Sequence, residues 1–326
     1  MITSKAHFKF IIAAAAAALL SGCSANVDAP SIDDAASKAA ETMADASGAV
    51  GSATAGAKDK MAMAANAAKL TAVLAGQTDA SKARYAYRRP AKTLAFFGIA
   101  PGMKVAEALP GGGWYSKILV PYLGDEGVLT GIDYSIEMWP EFGGFANAEF
   151  IAKKASWTTD WPMGTKEWSG DAATTVDAIT FGARNTSQDG TYDAVLFIRA
   201  LHNLSRFEAK GGYLSTAIAD THAMLKTGGV VGVVQHSGPE TNSDEWAVGS
   251  NGYLKQSAVI AAFEAAGFTL AKASDLNANA LDIPSESDGV WRLPPSLRGS
   301  EDKPEQMSAM KAIGESNRMT LKFVKQ

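Results

Sequence analysis

Short apolar runs alternate in this chain, from about residue 84 onward, with stretches in which apolar residues recur at helical spacing. The apolar runs predict strands at residues 104–109, 127–132, 177–181, 192–198, 230–235, 268–273 and 319–324. The stretches of helical spacing predict helices at residues 90–97, 114–123, 213–225 and 257–266. Tyr192–Ile198 is apolar on both faces, which is typical of a parallel strand covered by helices on two sides.

This order predicts a single α/β domain over residues 83–326. We expect a seven-stranded, mostly parallel sheet with helices on both faces. The last two strands are joined by a long connection, which favours an antiparallel pair at the edge of the sheet. A segment of this length is long enough to bury a sizeable core.

The first 22 residues have the pattern of an export signal. Lys5 and Lys9 precede the apolar run 10–20, which is too short to span a bilayer as a mature helix. A Leu-Ser-Gly-Cys sequence that ends at Cys23 follows and resembles the lipobox of bacterial lipoproteins. The resemblance implies that residues 1–22 are a lipoprotein signal peptide and that Cys23 is lipidated. The alternative is an incidental thiol near a cleavage site.

The residue after the cysteine bears on location. By analogy with lipoprotein sorting, Ser24 favours the outer membrane, so we expect a lipid-anchored protein on the periplasmic side of the cell envelope. Cys23 is the only cysteine of the chain, which excludes an internal disulfide. The core alone must therefore hold the domain together.

Residues 23–82 form a zone of different composition, rich in alanine and almost free of aromatic and branched apolar side chains. Such a segment buries little surface, so we predict a disordered or loosely helical tether. Within it, residues 58–74 have enough helix propensity to form one exposed helix.

The charge pattern limits the classes of partner. The formal net charge is −4, and the 30 lysines and arginines are scattered along the chain. Nucleic-acid binding requires a basic stripe or patch, so a nucleic-acid partner is not expected. No metal site is predicted, and the sequence leaves the oligomeric state open.

A glycine turn follows the first predicted strand. Gly111, Gly112 and Gly113 let the backbone approach a ligand closely, and the N–H groups of the next helix are free to bind it. Asp133 ends the second strand, where a carboxylate can accept both hydroxyl protons of a ribose. Its alternative role is a helix N-cap. Glu107, near the end of the first strand, is expected either to face the ligand or to bind loop amides as a structural carboxylate.

Residues 84–326 resemble the class I S-adenosylmethionine-dependent methyltransferases, which have a Rossmann-like fold, and in particular a group of predicted bacterial methyltransferases. The motifs that carry the resemblance are Arg88-Arg89-Pro90, Phe96–Met103, Pro110–Tyr115 and Arg199–Leu204. The resemblance implies S-adenosylmethionine as the donor, bound by Glu107, Gly111, Gly112, Gly113 and Asp133.

Two positions depart from the family pattern. Leu109 stands where the loop usually begins with glycine, so the turn is expected to start in another conformation. Residues 181–184, Phe-Gly-Ala-Arg, stand where a carboxylate often contacts adenine, so adenine recognition is expected to use backbone groups and packing.

His202 and Asn203, in the Arg199–Leu204 motif, are implied to lie beside the reacting centre. His236 ends the fifth strand at the same edge of the sheet. We take these three residues as catalytic candidates, with a histidine as the base if the acceptor must lose a proton. The alternative for each histidine is a structural hydrogen bond. The Trp-rich stretch 139–168 is expected either to pack against the core or to roof a small or apolar acceptor.

Two other functions compete with the methyltransferase. The turn also approximates the dinucleotide fingerprint, and Asp133 has the right offset for the ribose of NAD. Against an NAD-dependent oxidoreductase, Glu107 would repel a pyrophosphate and no second mononucleotide-binding half follows. The other alternative is a non-catalytic, nucleoside-binding envelope lipoprotein, since S-adenosylmethionine is made in the cytosol and fold alone does not fix function.

Overall fold

The computed structural model of the chain describes residues 57–170 and 172–326. The predicted signal peptide, Cys23 and the tether up to residue 56 lie outside the described residues. Within the described residues, no helix combines the length and the apolar character needed to cross a membrane.

One seven-stranded sheet organises residues 61–326, in the order β3-β2-β1-β4-β5-β7-β6. The strands are β1 Lys104–Ala108, β2 Val128–Asp133, β3 Thr175–Thr180, β4 Tyr192–Ile198, β5 Leu225–His236, β6 Phe268–Ser274 and β7 Arg318–Lys325. The first five strands pair in parallel, and β7 runs antiparallel to both of its neighbours. The predicted fold class is confirmed. The pattern did not predict that β7 would insert between β5 and β6.

Helices cover both faces of the sheet. They are α1 57–75, α2 Asp79–Lys82, α3 Tyr85–Arg88, α4 Pro90–Phe97, α5 Ser116–Leu123, α6 Ala148–Ala155, α7 Trp157–Thr165, α8 Leu201–Arg206, α9 Glu208–Gly211, α10 Tyr213–Met224, α11 Gln256–Ala265 and α12 Pro304–Ile313. Strand β4 shows why two layers form. Val195 and Phe197 pack into the core under α8, α10 and α11, while Ala194 and Leu196 pack into the core under α4 and α5.

The predicted boundary between tether and domain needs correction. Helix α1 is not an exposed spacer, because Leu70 and Leu74 are buried in the same core as Leu94 of α4. Leu74 also accepts a hydrogen bond at its carbonyl oxygen from the Tyr85 hydroxyl, at 3.0 Å. Residues 61–82 therefore belong to the folded domain, since two leucines one helical turn apart suffice to dock an alanine-rich helix.

The Trp-rich stretch forms the connection between β2 and β3. A 3-10 helix at Ile136–Phe142 is followed by α6, α7 and a 3-10 turn at Lys166–Trp168. Trp139 packs into one core and Trp161 into the other, and Trp157 stacks on Trp161 with ring centroids 5.4 Å apart. These tryptophans therefore contribute to packing, which is the first of the two roles expected for them.

Candidate functional site

The glycine turn joins the end of β1 to the start of α5, and the residues in its middle are exposed to solvent. Leu109 adopts a left-handed conformation with φ +52°, which glycine adopts far more readily. Gly111 and Gly112 are exposed, and a Cβ added at Gly112 would meet nothing within 4 Å. A Cβ at Gly113 would instead lie 2.4 Å from the ring of Trp168. The first two glycines thus leave room for a ligand, whereas the third is needed for the protein's own packing.

Glu107 lies beneath the start of α5. Its carboxylate is 3% exposed and accepts a hydrogen bond from the Ser116 hydroxyl at 2.6 Å, its only hydrogen-bond partner among the described residues. Burial raises the pKa of Glu107 to about 7, and the bond from Ser116 offsets only part of that rise. This environment is that of a structural carboxyl group held against the helix.

Asp133 ends β2 with its carboxylate buried. One oxygen accepts the backbone N–H of Tyr134 at 2.9 Å, and the other accepts the ammonium of Lys154 at 2.7 Å. Burial raises the pKa of Asp133, and the Lys154 charge opposes the rise. Asp133 caps no helix, because the 3-10 helix that follows has Ser135 as its N-cap. Each carboxylate oxygen has two acceptor positions, so one remains on each for a ribose hydroxyl.

Sequence reasoning missed Lys154. The residue lies on α6, and its ammonium sits 4.3 Å from the centroid of the Trp139 ring and 5.7 Å from that of Phe150. Its stem and charge are thereby fixed against the aromatic rings while it pairs with Asp133. Nothing in the sequence distinguishes Lys154 from the adjacent Lys153 or indicates that it neutralises an acid 21 positions earlier.

A cavity of about 430 Å³ opens between the ends of β2 and β3, next to Asp133. Tyr134 and Lys154 form one side of it, and Phe181, Gly182 and Ala183 form another. Its volume is within the usual range for small-molecule sites. Three residues of the Phe-Gly-Ala-Arg segment therefore line this pocket, whereas Arg184 forms an ion pair with Asp220 at 3.1 Å.

The structure brings the two candidate histidines together. The ring centroids of His202, on α8, and His236, at the end of β5, are 5.8 Å apart. His236 Nδ1 lies 2.6 Å from the Ser316 hydroxyl, which fits the structural alternative for this residue. Asn203 lies beside the phenol of Tyr134, where its hydrogen bond opposes the rise that burial gives the Tyr134 pKa.

The electrostatics of this histidine pair bear on acid–base chemistry. Burial, followed by the charge of Arg199, lowers the pKa of His202 to about 4. Burial and the neighbouring His202 lower the pKa of His236 as well. Both imidazoles are therefore neutral near pH 7 and free to accept a proton. A base with so low a pKa is weaker than the optimum, which lies near the working pH.

These groups are distributed along one edge of the sheet. The glycine turn and Asp133 lie at the ends of β1 and β2, and the histidines lie at β4 and β5. The contact between Tyr134 and Asn203 links the two halves. This edge is where ligands bind in open α/β sheets. Among the described residues, no cluster of three His, Cys, Asp or Glu side chains is arranged to hold a metal ion.

Comparison with known proteins adds a likeness of fold. No family model and no curated protein matches the sequence. A methyltransferase from Aquifex aeolicus that depends on S-adenosylmethionine is 16% identical, with a TM-score of 0.39 over 62% of this chain and 94% of that one. The [4+2]-cyclase SpnF is 16% identical, with a TM-score of 0.42 over 74% of this chain and 80% of that one.

A third solved structure is the Burkholderia thailandensis 1,6-didemethyltoxoflavin-N1-methyltransferase with bound 1,6-didemethyltoxoflavin and S-adenosylhomocysteine. It is 13% identical, with a TM-score of 0.40 over 76% of this chain and 81% of that one. Because identities are this low and the TM-scores lie below 0.5, these likenesses do not bear on ligand or activity.

Proposed function

We propose that the chain is an S-adenosylmethionine-dependent methyltransferase that acts on a small-molecule acceptor. The observation that carries the proposal is the buried carboxylate of Asp133 beside the open glycine turn and the cavity of about 430 Å³ at the same edge of the sheet. A carboxylate held at the end of the second strand suits the two hydroxyls of a ribose. The residues present therefore fit a nucleoside donor.

The placement of the side chains suggests a role for each of them in binding the donor and the acceptor. When bound, the donor supplies a methyl group on a positively charged sulfur. Asp133 would hold the ribose, and Phe181 and Gly182 would flank the base in the cavity. Asn203, with a neutral amide, is suited to orient an acceptor without changing its charge. His202, which is neutral near pH 7, is the available though weak base if the acceptor has a proton to lose, and otherwise the site works by alignment and exclusion of water.

The sheet order disfavours the dinucleotide alternative. Dinucleotide-binding sheets of the doubly wound type follow the order 3-2-1-4-5-6, built from two mononucleotide-binding halves. Here the strand next to β5 is the antiparallel β7, and β6 lies outside it. The second half of such a site is therefore missing from the described residues.

Calorimetry with S-adenosylhomocysteine and with NAD, on the full chain in detergent, tests the proposed function. We expect binding of S-adenosylhomocysteine and none of NAD. Native mass spectrometry of the same preparation would detect a co-purified nucleoside. Binding of NAD alone would favour an oxidoreductase, and binding of neither would favour a non-catalytic lipoprotein.

We also propose that the protein is anchored in the cell envelope by a lipid on Cys23, on the periplasmic side and at the outer membrane. The basic residues, the short apolar run and the Leu-Ser-Gly-Cys sequence support this location. Stable anchoring requires more than one acyl chain, as lipoprotein-type modification would supply.

Replacement of Cys23 by alanine is therefore expected to release the protein from the membrane fraction, or to leave it unprocessed. Fractionation and intact mass measurement would show the change, with Ser24→Ala as a control that keeps the thiol. A wild-type protein found wholly in the soluble fraction with an unmodified Cys23 would contradict the anchor.

A further inference from the structure

Four arginines converge at the edge formed by β4, β5 and β7. Arg84 and Arg88 come from the segment before α4, Arg199 follows β4, and Arg318 begins β7. Arg88 and Arg318 are nearly buried, at 6% and 4% exposure. The cluster is thus assembled from three distant parts of the chain. We call it the arginine cluster.

The arginine cluster has one carboxylate, Glu315. Its oxygens lie 2.5 Å from Arg84 Nη2, 3.2 Å from Arg318 Nη1 and 3.5 Å from Arg88 Nε. Glu315 itself is 4% exposed. Three guanidinium groups therefore share a single negative charge in a largely desolvated place.

Arg199 adds a fourth positive charge without a partner of its own. Among the described residues, its side chain makes no hydrogen bond and no ion pair. Burial and the nearby charge of Arg318 lower the pKa of Arg199, and the charge of Glu315 opposes that lowering. The other titratable neighbours are the Tyr115 phenol and the two histidines, which are neutral near pH 7. Arg88 and Arg318 are buried, whereas Arg84 and Arg199 are half-buried. An excess of positive charge in such a partly desolvated place is costly unless an anion compensates it.

The backbone at Arg199 is also unusual. Its φ is +61°, in the left-handed region that is strained for a residue other than glycine. The backbone N–H is fixed by a hydrogen bond to the Val234 carbonyl on β5 at 2.6 Å. Such strain is concentrated at ligand sites, and here it belongs to the arginine without a partner.

The arginine cluster adjoins the candidate site. The guanidinium of Arg88 lies 4.6 Å from the centroid of the Trp114 ring, which directly follows the glycine turn. The Tyr115 hydroxyl donates to the Arg88 carbonyl at 3.3 Å. On the other side, the charge of Arg199 acts on His202. The cluster therefore lies between the turn and the histidine pair.

We propose that Arg199, supported by Arg88 and Arg318, binds an anionic group of the methyl acceptor, so that the acceptor is a small carboxylate or phosphate. This inference rests on the proposed function. Guanidinium groups bind such oxyanions through paired, charge-assisted hydrogen bonds. The sequence predicted no role for the Arg88-Arg89-Pro90 motif, and this proposal gives one to Arg88.

Position favours the acceptor over the donor as the source of the anion. Asp133 lies on β2, whereas the arginines lie at β4 and β7, two and four strands away. At a strand spacing of about 4.8 Å, these separations are about 10 and 19 Å. The carboxylate of the donor is the other source of the same chemistry: an extended S-adenosylmethionine could span the shorter separation, to Arg199, but not the longer one, to Arg318.

Calorimetry with inorganic phosphate and with malonate, at matched ionic strength in the full chain, tests the proposal. We expect binding to the wild type that weakens by about tenfold or more in Arg199→Gln. Arg206→Gln is the matched control, because it removes the same charge from an exposed residue of α8. Its affinity should stay within about twofold of the wild type.

Titration with S-adenosylhomocysteine on the same variants separates the two sources. The affinity for S-adenosylhomocysteine should be nearly unchanged in Arg199→Gln. Phosphate should still bind to the wild type when S-adenosylhomocysteine is present at a saturating concentration. A parallel loss of both affinities, with displacement of phosphate, would assign the cluster to the donor and overturn the proposal. The proposal would also be overturned if the wild type bound neither phosphate nor malonate, or if Arg206→Gln lost as much affinity for these anions as Arg199→Gln. If the anions bind through Arg199 but S-adenosylhomocysteine does not bind, the anion site stands and the proposed function fails.

Discussion

Replacing Asp133 with alanine is expected to weaken the binding of S-adenosylhomocysteine by about 2–4 kcal/mol, because the ribose loses two hydrogen bonds to a charged acceptor. That loss is about 30-fold to 1,000-fold in affinity. Calorimetry on the wild type and the variant gives the change directly. Asp133→Asn keeps the shape and one acceptor, so its loss should be smaller.

The contact with Lys154 determines the controls for this experiment. Asp133→Ala leaves the ammonium of Lys154, a side chain that is 21% exposed, without its carboxylate, so the thermal unfolding of each variant must be measured as well. Asp160→Ala removes the same charge from an exposed position on α7 and should bind like the wild type. If a well-folded Asp133→Ala protein bound S-adenosylhomocysteine as tightly as the wild type, Asp133 would not be the ribose ligand.

The local parts of this fold were predictable because their signals are local. Strand β4 was predicted with the same bounds that the structure has, since an apolar run on both faces has few other interpretations. Helix α4 was equally clear, because Pro90 begins it and Gly98, with φ +80°, ends it. The antiparallel pairing of β6 with β7 was also predicted, but the insertion of β7 beside β5 depends on contacts between distant segments.

Helix α1 shows how tertiary contacts override composition. Its sequence is rich in alanine; Leu70 and Leu74 are buried in the core, and Val73 packs partly buried against it. A prediction from the average composition of such a segment overlooks two leucines, and it therefore gives a tether. Two leucines one turn apart become decisive only when α4 and α5 form the groove that receives them, which no local pattern reveals.

The charged groups of the site were the least predictable. Lys154, Arg84 and Arg318 are ordinary surface residues by local pattern. The two arginines join Arg88 and Arg199, which stand in the family motifs, only through the sheet order. The net charge of −4 also hides a region where positive charge is in excess. The sequence could therefore predict the glycine turn and Asp133, which follow strands directly, but not the groups that surround them.

A second large effect is expected in the stability of the protein as a function of pH, through Glu107. Burial raises the pKa of this carboxyl group from 4.5 to about 7 in the folded state. The folded protein therefore binds the proton more tightly than the unfolded chain does. The contribution of Glu107 to the free energy of unfolding is therefore fully present below about pH 4.5 and is lost as the pH rises to about 7. A shift of this size corresponds to about 3 kcal/mol, a large share of the stability of an ordinary domain.

Glu107→Gln isolates this contribution, because glutamine can still accept the hydrogen bond from the Ser116 hydroxyl but cannot ionise. Urea unfolding at about pH 4.5, 6 and 8 should show that the free energy of unfolding falls more steeply in the wild type than in the variant. The variant should therefore gain most, relative to the wild type, near pH 8. Glu126→Gln, at an exposed position, should follow the wild type. Parallel pH profiles for the wild type and Glu107→Gln would mean that Glu107 ionises freely, and hence that water or a ligand reaches it beneath α5.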